Sequence, residues 1–274
     1  DCSSRGLGDV YKRQLLLCGD TFITRLPDPV LQQIENFSDP TYGVNDAFKP
    51  VTRYWDRITH PAQVLQTLPA AIATMLDPAD CGPAFIALPQ DVQGWTFDYP
   101  KSFFDRRMHQ VRRQSPDIEE ISSAAELLMS AKRPIIIAGG GVQYSGAVSE
   151  LTNFAKIHNI PIVETIAGRA NLLDGDPFNI GPIGVTGSNS ANTIANKADL
   201  IIAVGTRLQD FTTGSWTVFS MDSKFISINA ARHDATKHLS LPIVGDAKLA
   251  MTTLSKACSA VSYTHLRAHE TSNH

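Results

Sequence analysis

The feature that most constrains this chain is an alternation in its second half. Short runs that are apolar at nearly every position are separated by stretches with apolar residues at helical spacing. The runs are Pro134–Ala138 (PIIIA), Ile160–Val163 (IPIV), Leu200–Val204 (LIIAV), Phe225–Ile228 (FISI) and Leu241–Val244 (LPIV). Around them lie Ile118, Ile121, Ala125 and Leu128, then Val148, Leu151, Phe154, Ala155 and Ile157, then Ser190–Ala198 and finally Ala247–Ala257. A strand without a polar face must be covered on both sides, which parallel sheets flanked by helices achieve. The reading is a doubly wound α/β domain over residues 117–257.

The first half is less regular. Asp28-Pro29, followed by Val30, Leu31, Ile34 and Phe37, predicts a helix start. Pro61–Met75 predicts a second helix, with Val64, Leu65, Leu68, Ile72 and Met75 on one face and Pro69 expected to kink or split it. Ala84–Leu88, between Gly82-Pro83 and Pro89, predicts a buried strand. These elements make residues 15–94 part of another α/β domain. Residues 95–116 carry five aromatics and then Arg106, Arg107, His109, Arg112 and Arg113 without a period, which reads as an extended connector.

Charge and cysteine usage narrow the function classes. The net charge is −3, which gives no field for nucleic acid or anionic membrane. No apolar run approaches the roughly eighteen residues needed to span a bilayer. Cys2, Cys18, Cys81 and Cys258 form no close pair, so reduced thiols and a cytoplasmic location are expected. Residues 1–14 have no period, and both they and 261–274 look like translated adapter sequence, which makes 1–14 an artefactual end and 258–274 mostly one. They are set apart from the fold, and the natural protein is expected to continue in both directions. His265 and His269 have metal-pair spacing but need a helix and a third ligand.

Four features are candidates for binding. Gly139, Gly140 and Gly141 form a tight turn between strand and helix, either to bring N–H donors against a phosphate or simply to turn the chain. Glu164 follows at the distance where dinucleotide folds keep a ribose-binding acid, although Tyr144 breaks the G-x-G-x-x-G spacing. Arg207, just after the Leu200 strand, is either an anion or cofactor contact or a surface partner of Asp210. Gly181–Asn192 either holds an anion on backbone donors or is a flexible loop with Ser190 as helix cap. Two further segments, Asn45–Lys49 and Arg53–Arg57, are dense in polar and aromatic groups, either as interface anchors or as a solvated helix with one buried Trp. No nucleophile–base motif is present, and Asp91, Asp98 and Asp105 are spaced too evenly to suggest an acid–base pair.

Six stretches in order, GDTFITRLPDPVLQQIE (Gly19–Glu35), VNDAFKPVTRYWDRI (Val44–Ile58), GPAFIALPQDVQG (Gly82–Gly94), KRPIIIAGGGVQYSGA (Lys132–Ala147), Gly184–Ser215 and INAARHDATKH (Ile228–His238), resemble the thiamine-diphosphate enzymes of the acetolactate-synthase type. Within that family, the first three look most like the branch that hydrolyses a carbon–carbon bond of a cyclic dione. Two alternatives stay open: a carboligase of the same family, and a nucleotide- or flavin-binding module without catalysis. The resemblance implies the back part of a pyrimidine-binding domain over 15–94, a linker over 95–116 and a middle domain over 117–257. It implies thiamine diphosphate and Mg²⁺ in the parent protein, with the activating glutamate ahead of Leu15 and the magnesium site beyond Ala257. Gly19-Asp20, Gly175-Asp176 and Gly245-Asp246 each lack the third glycine of that magnesium site. A homodimer or homotetramer is implied, because family sites form between domains of two subunits. Some relatives keep FAD on the middle domain, and here Gly139, Gly140, Gly141 and Arg207 would be its contacts, though no flavin-specific residue stands beside them.

Overall fold

A computed structural model describes residues 13–31 and 36–271, and the side chains of those up to 259. The chain divides after Arg112 into two compact units. The first is built on three parallel strands, β1 (Leu15–Asp20), β2 (Tyr54–Arg57) and β3 (Ala84–Pro89), in the order β1-β3-β2. Helix α1 (Val64–Leu76) covers one face through Thr67 and Ala71, against Ile58, Ala84 and Ile86. The alternate residue Phe85 points the other way and stacks on Phe48 and Trp55. Pro69 neither splits nor ends α1. A proline removes only one intrahelical bond, and burial of Thr67 and Ala71 on either side holds the helix together.

The helix predicted from Asp28 onwards is not seen in its described part. Residues 28–31 and 36–37 form bends and turns, with Leu31 and Phe37 exposed, while 32–35, including Ile34, lie outside the described residues. The Arg53–Arg57 segment is not a solvated helix. Its last four residues form β2, because Tyr54–Arg57 pair with Ala84–Ala87.

The second unit is a six-stranded, wholly parallel sheet in the order β6-β5-β4-β7-β8-β9. Its strands are β4 (Pro134–Ala138), β5 (Ile162–Glu164), β6 (Asn179–Pro182), β7 (Leu200–Val204), β8 (Lys224–Asn229) and β9 (Leu241–Val244). On one face Ile136, Ile202, Ile226 and Ile243 meet helices α2 (Ile118–Ser130), α4 (Val148–His158) and α8 (Ala247–Thr271). On the other, Ile135, Ile137, Ile201 and Ala203 meet α5 (Asn189–Lys197) and Leu208, Val218 and Phe219. Short helices α3 (Gly140–Ser145), α6 (Asp210–Thr213) and α7 (Arg232–Ala235) complete the unit. The doubly wound reading is borne out. The sequence does not announce β6, an edge strand whose Asn-Ile-Gly-Pro is not an apolar run. Gly139–Gly141 is not a free turn either, since Gly139 caps α3 and the next two glycines form its first turn.

Candidate functional site

In the second unit the strand order reverses between β4 and β7, and open parallel sheets bind ligands outside the carboxyl ends of their strands at such a point. Gly139–Gly141 and Gly205–Arg207 face each other there. The Gly139 N–H donates to the Val204 carbonyl and the Gly141 N–H to the Gly205 carbonyl, both at 2.9 Å. A β-carbon on Gly139 would lie 2.3 Å from the Gly205 oxygen, and one on Gly141 2.6 Å from the Gly205 Cα. Gly205 itself has φ +59°. The glycines therefore let two main chains touch. The N–H groups of Gly139 and Gly141 are spent on β7 and the loop after it, while that of Gly140, in the first turn of α3, takes no backbone acceptor among the described residues.

Arg207 does not pair with Asp210. Its Nε lies 3.1 Å from Asp234 Oδ2, while Lys237 Nζ sits 2.6 Å from Asp234 Oδ1 and donates to the Arg207 carbonyl. The helix α5 is capped by Ser188, not Ser190, with its Oγ accepting from the Ala191 N–H. Within Gly181–Asn192, the Asn192 amide binds both the N–H and the carbonyl of Gly184 at 2.9 Å, so this loop closes on itself. Asn45–Lys49 lies in the 3-10 helix Val44–Val51 of the first unit.

Beside the switch point, a cleft of about 430 Å³ opens at the ends of β5 and β6, lined among others by Glu164, Arg169, Asp174, Asn179 and Thr186. Glu164 is only 6 % exposed, and its Oε1 accepts the Leu172 N–H at 2.9 Å. Arg169, Asp174 and Asn179 carry no signal in the sequence, because the loop and edge strand that hold them follow no period.

The first unit has a charged network that sequence reasoning also missed. At the carboxyl ends of β1 and β2, Arg57 bridges Asp20 and Asp46, and both carboxylates are about 1 % exposed. Lys49 Nζ sits 2.6 Å from the other Asp46 oxygen, and Lys49 and Arg57 both lie over the Trp55 ring. Burial pushes the Asp46 carboxyl up, but Lys49, Arg57 and the Gly43 N–H outweigh it and hold it down at about 2. The Asn45 side-chain amide donates to the Gly19 carbonyl, and Trp55 Nε1 donates to the Asn45 carbonyl. Asp91 is not part of an acid pair. It accepts the N–H groups of Ile23, Thr24 and Val92, fixing the turn after β1 to the end of β3. Among the described residues no three His, Cys, Asp or Glu side chains converge on a metal position.

A sheet of this order with these strand-end loops defines a Rossmann-like module, and its relatives say which. Residues 121–254 match the family described as thiamine pyrophosphate enzyme, central domain, and the second unit belongs to that family. Among curated relatives it is 46 % identical over 243 residues to a 3D-(3,5/4)-trihydroxycyclohexane-1,2-dione hydrolase of Geobacillus thermodenitrificans, covering 89 % of this chain and 38 % of the relative. The enzyme of the same name from Bacillus subtilis is 47 % identical over 238 residues, covering 86 % of this chain and 37 % of the relative. The chain thus spans about two fifths of the length of these relatives. A solved structure described as a thiamin diphosphate-dependent enzyme of Mycobacterium smegmatis shares the fold. It superposes with a TM-score of 0.67 at 22 % identity, over 89 % of this chain and 45 % of that one.

Proposed function

We propose that this chain is part of a thiamine-diphosphate-dependent hydrolase that opens the ring of trihydroxycyclohexane-1,2-dione in inositol catabolism. The observation that carries this is the 46 % identity over 243 residues, which runs through both units and not through the central domain alone. Residues 15–94 would be the back part of a pyrimidine-binding domain, 95–116 a linker and 117–257 the middle domain. When bound, thiamine diphosphate supplies the nucleophilic carbon that cleavage between two carbonyl carbons requires. The described residues present no converging His, Cys, Asp or Glu ligands, so Mg²⁺ is assigned to no described residue of this chain. Its contribution is the scaffold: the Gly139–Gly205 contact fixes β4 against β7, and the Arg57 network fixes β1 against β2. A cytoplasmic homodimer or homotetramer is the expected setting of the whole protein. Among the described residues no helix is long and apolar enough to cross a membrane.

The test is an assay of the whole enzyme with the dione, thiamine diphosphate and Mg²⁺. Release of an open-chain deoxyglucuronic acid, dependent on the thiamine cofactor, is expected. Condensation of pyruvate or glyoxylate with no attack on the dione would replace this reading with a carboligase.

A further inference from the structure

We propose that residues 105–112 are a processing site for an endoprotease of trypsin-like specificity, cut at the Arg107–Met108 bond. This inference stands independently of the hydrolase reading. The stretch lies at the boundary between the two units and belongs to no helix or strand. Every one of its side chains is exposed, and among the described residues neither its main chain nor its side chains make a hydrogen bond or an ion pair. Both ends are tied. On one side the Tyr99 hydroxyl donates to the Pro61 carbonyl at 2.9 Å, and its ring packs on Phe103 and Phe104. On the other, Arg113 Nη1 lies 2.7 Å from Asp246 Oδ2 and donates to the Ser145 carbonyl. The Gln114 carbonyl accepts the Asp246 N–H. The span between is a strap fixed at its two ends and held nowhere along its length.

The residues of the strap select the enzyme and the bond. Proteolysis needs an exposed backbone that is free of its own hydrogen bonds and can lie extended in a cleft. Arg106, Arg107 and Arg112 carry the guanidinium that an acidic specificity pocket takes. The bonds that follow them are not equivalent. A cleft centred on Arg112–Arg113 must also hold Arg113, which Asp246 and Ser145 retain. One centred on Arg106–Arg107 reaches Phe104, whose N–H donates to the Lys101 carbonyl and whose ring packs on Tyr99. Around Arg107–Met108 the chain from Asp105 to Gln110 is free on both sides. Hydrolysis there adds one water: the Arg107 carbonyl carbon takes the hydroxyl, and the Met108 nitrogen leaves with the proton. Basic residues elsewhere are guarded. Lys156 and Lys197 sit in helices, Asp199 holds the N–H groups of Lys132 and Arg133, and Arg25 has both its N–H and its carbonyl in turns.

The test is brief digestion of the native full chain with trypsin, read by mass spectrometry. Cuts within 1–14 and 258–274, the stretches set apart from the fold, are counted separately. The first internal cut is expected after Arg107. Its rate, corrected for trypsin's own activity on a small amide, should stay constant in urea below the unfolding transition, because the strap needs no opening of the fold. Arg106→Gln with Arg107→Gln should slow internal cutting at least about tenfold by removing the charged contact to the protease. The same double variant should keep its unfolding midpoint within about 1 °C, since neither side chain has a partner to lose. A first internal cut at any other bond, a rate that climbs with urea, or undiminished internal cutting of the double variant would each overturn the proposal.

Discussion

Arg57 illustrates how a single side chain can organise a strand edge. Its guanidinium meets two buried carboxylates that come from different segments: Asp20 has no other cation in contact among the described residues, and Asp46 shares Arg57 with Lys49. Asp46→Asn should therefore lower stability by about 2 kcal/mol at neutral pH, measured by urea unfolding followed through tryptophan fluorescence. The pH dependence has a definite sign. The folded pKa of Asp46 is about 2 against an ordinary 3.8, so its contribution is complete above 3.8 and disappears as pH falls through 2. Between those values the wild type should lose stability more steeply than the Asn variant. Cys258 makes a separate prediction. It is 1 % exposed, and burial pushes its thiol up to about 11. Brief alkylation of the native protein with peptide mapping should leave Cys258 unmodified, and modification only after unfolding is expected. His158 lies on Phe154 at a ring separation of 4.5 Å, and burial holds its pKa below 6.5. Its neutral form is the folded one, so any stability it carries is present above 6.5 and falls as the solution is acidified.

At the scale of elements, β4 and β7 are joined more closely than side chains permit. A methyl group on Gly141 would meet the Gly205 Cα at 2.6 Å, while one on Gly94 would meet nothing within 4 Å. Gly141→Ala should cost about 3 kcal/mol and Gly94→Ala under about 0.5 kcal/mol, read from unfolding midpoints. What the sequence revealed follows the same physics. β3, β4, β5, β7 and β8 were legible because parallel strands buried on both faces lose their polar alternation, and β9, although an edge, keeps an apolar run in Leu241–Val244. β1 with Gly19 and Asp20, β2 with Asp56 and Arg57, and β6 with Asn179 were not, because sheet-edge positions admit polar residues. The glycines at 139–141 were visible as a motif, but their use was not. Only the structure shows the N–H groups of Gly139 and Gly141 bonded across to β7 and the loop after it. The Arg57 network was invisible because its members lie 37 and 11 positions apart in the chain.

At the scale of the whole molecule, the two units differ in how completely they cover their sheets. The second encloses six strands between two helical layers. The first has three, and no described strand pairs with the outer side of β1, where Leu17 is 59 % exposed. An uncovered strand edge with apolar side chains invites pairing with another chain. Leu17→Lys should reduce light scattering on warming while leaving the unfolding midpoint within about 1 °C, since the side chain contributes little to the core. Aggregation unchanged by this substitution would place the vulnerable surface elsewhere.

The closure of main chain on main chain between β4 and β7 also makes a clock. The amide protons of Gly139 and Gly141 are held by carbonyls of the neighbouring strand and the loop after it, with no side chain that could swing aside to admit solvent. They can exchange with deuterium only when the centre of the sheet parts. Their exchange rates should thus equal those of the slowest amides in Leu200–Val204 and report the opening of the whole second unit, while the amide of Gly94 exchanges on the faster time scale of a local fray.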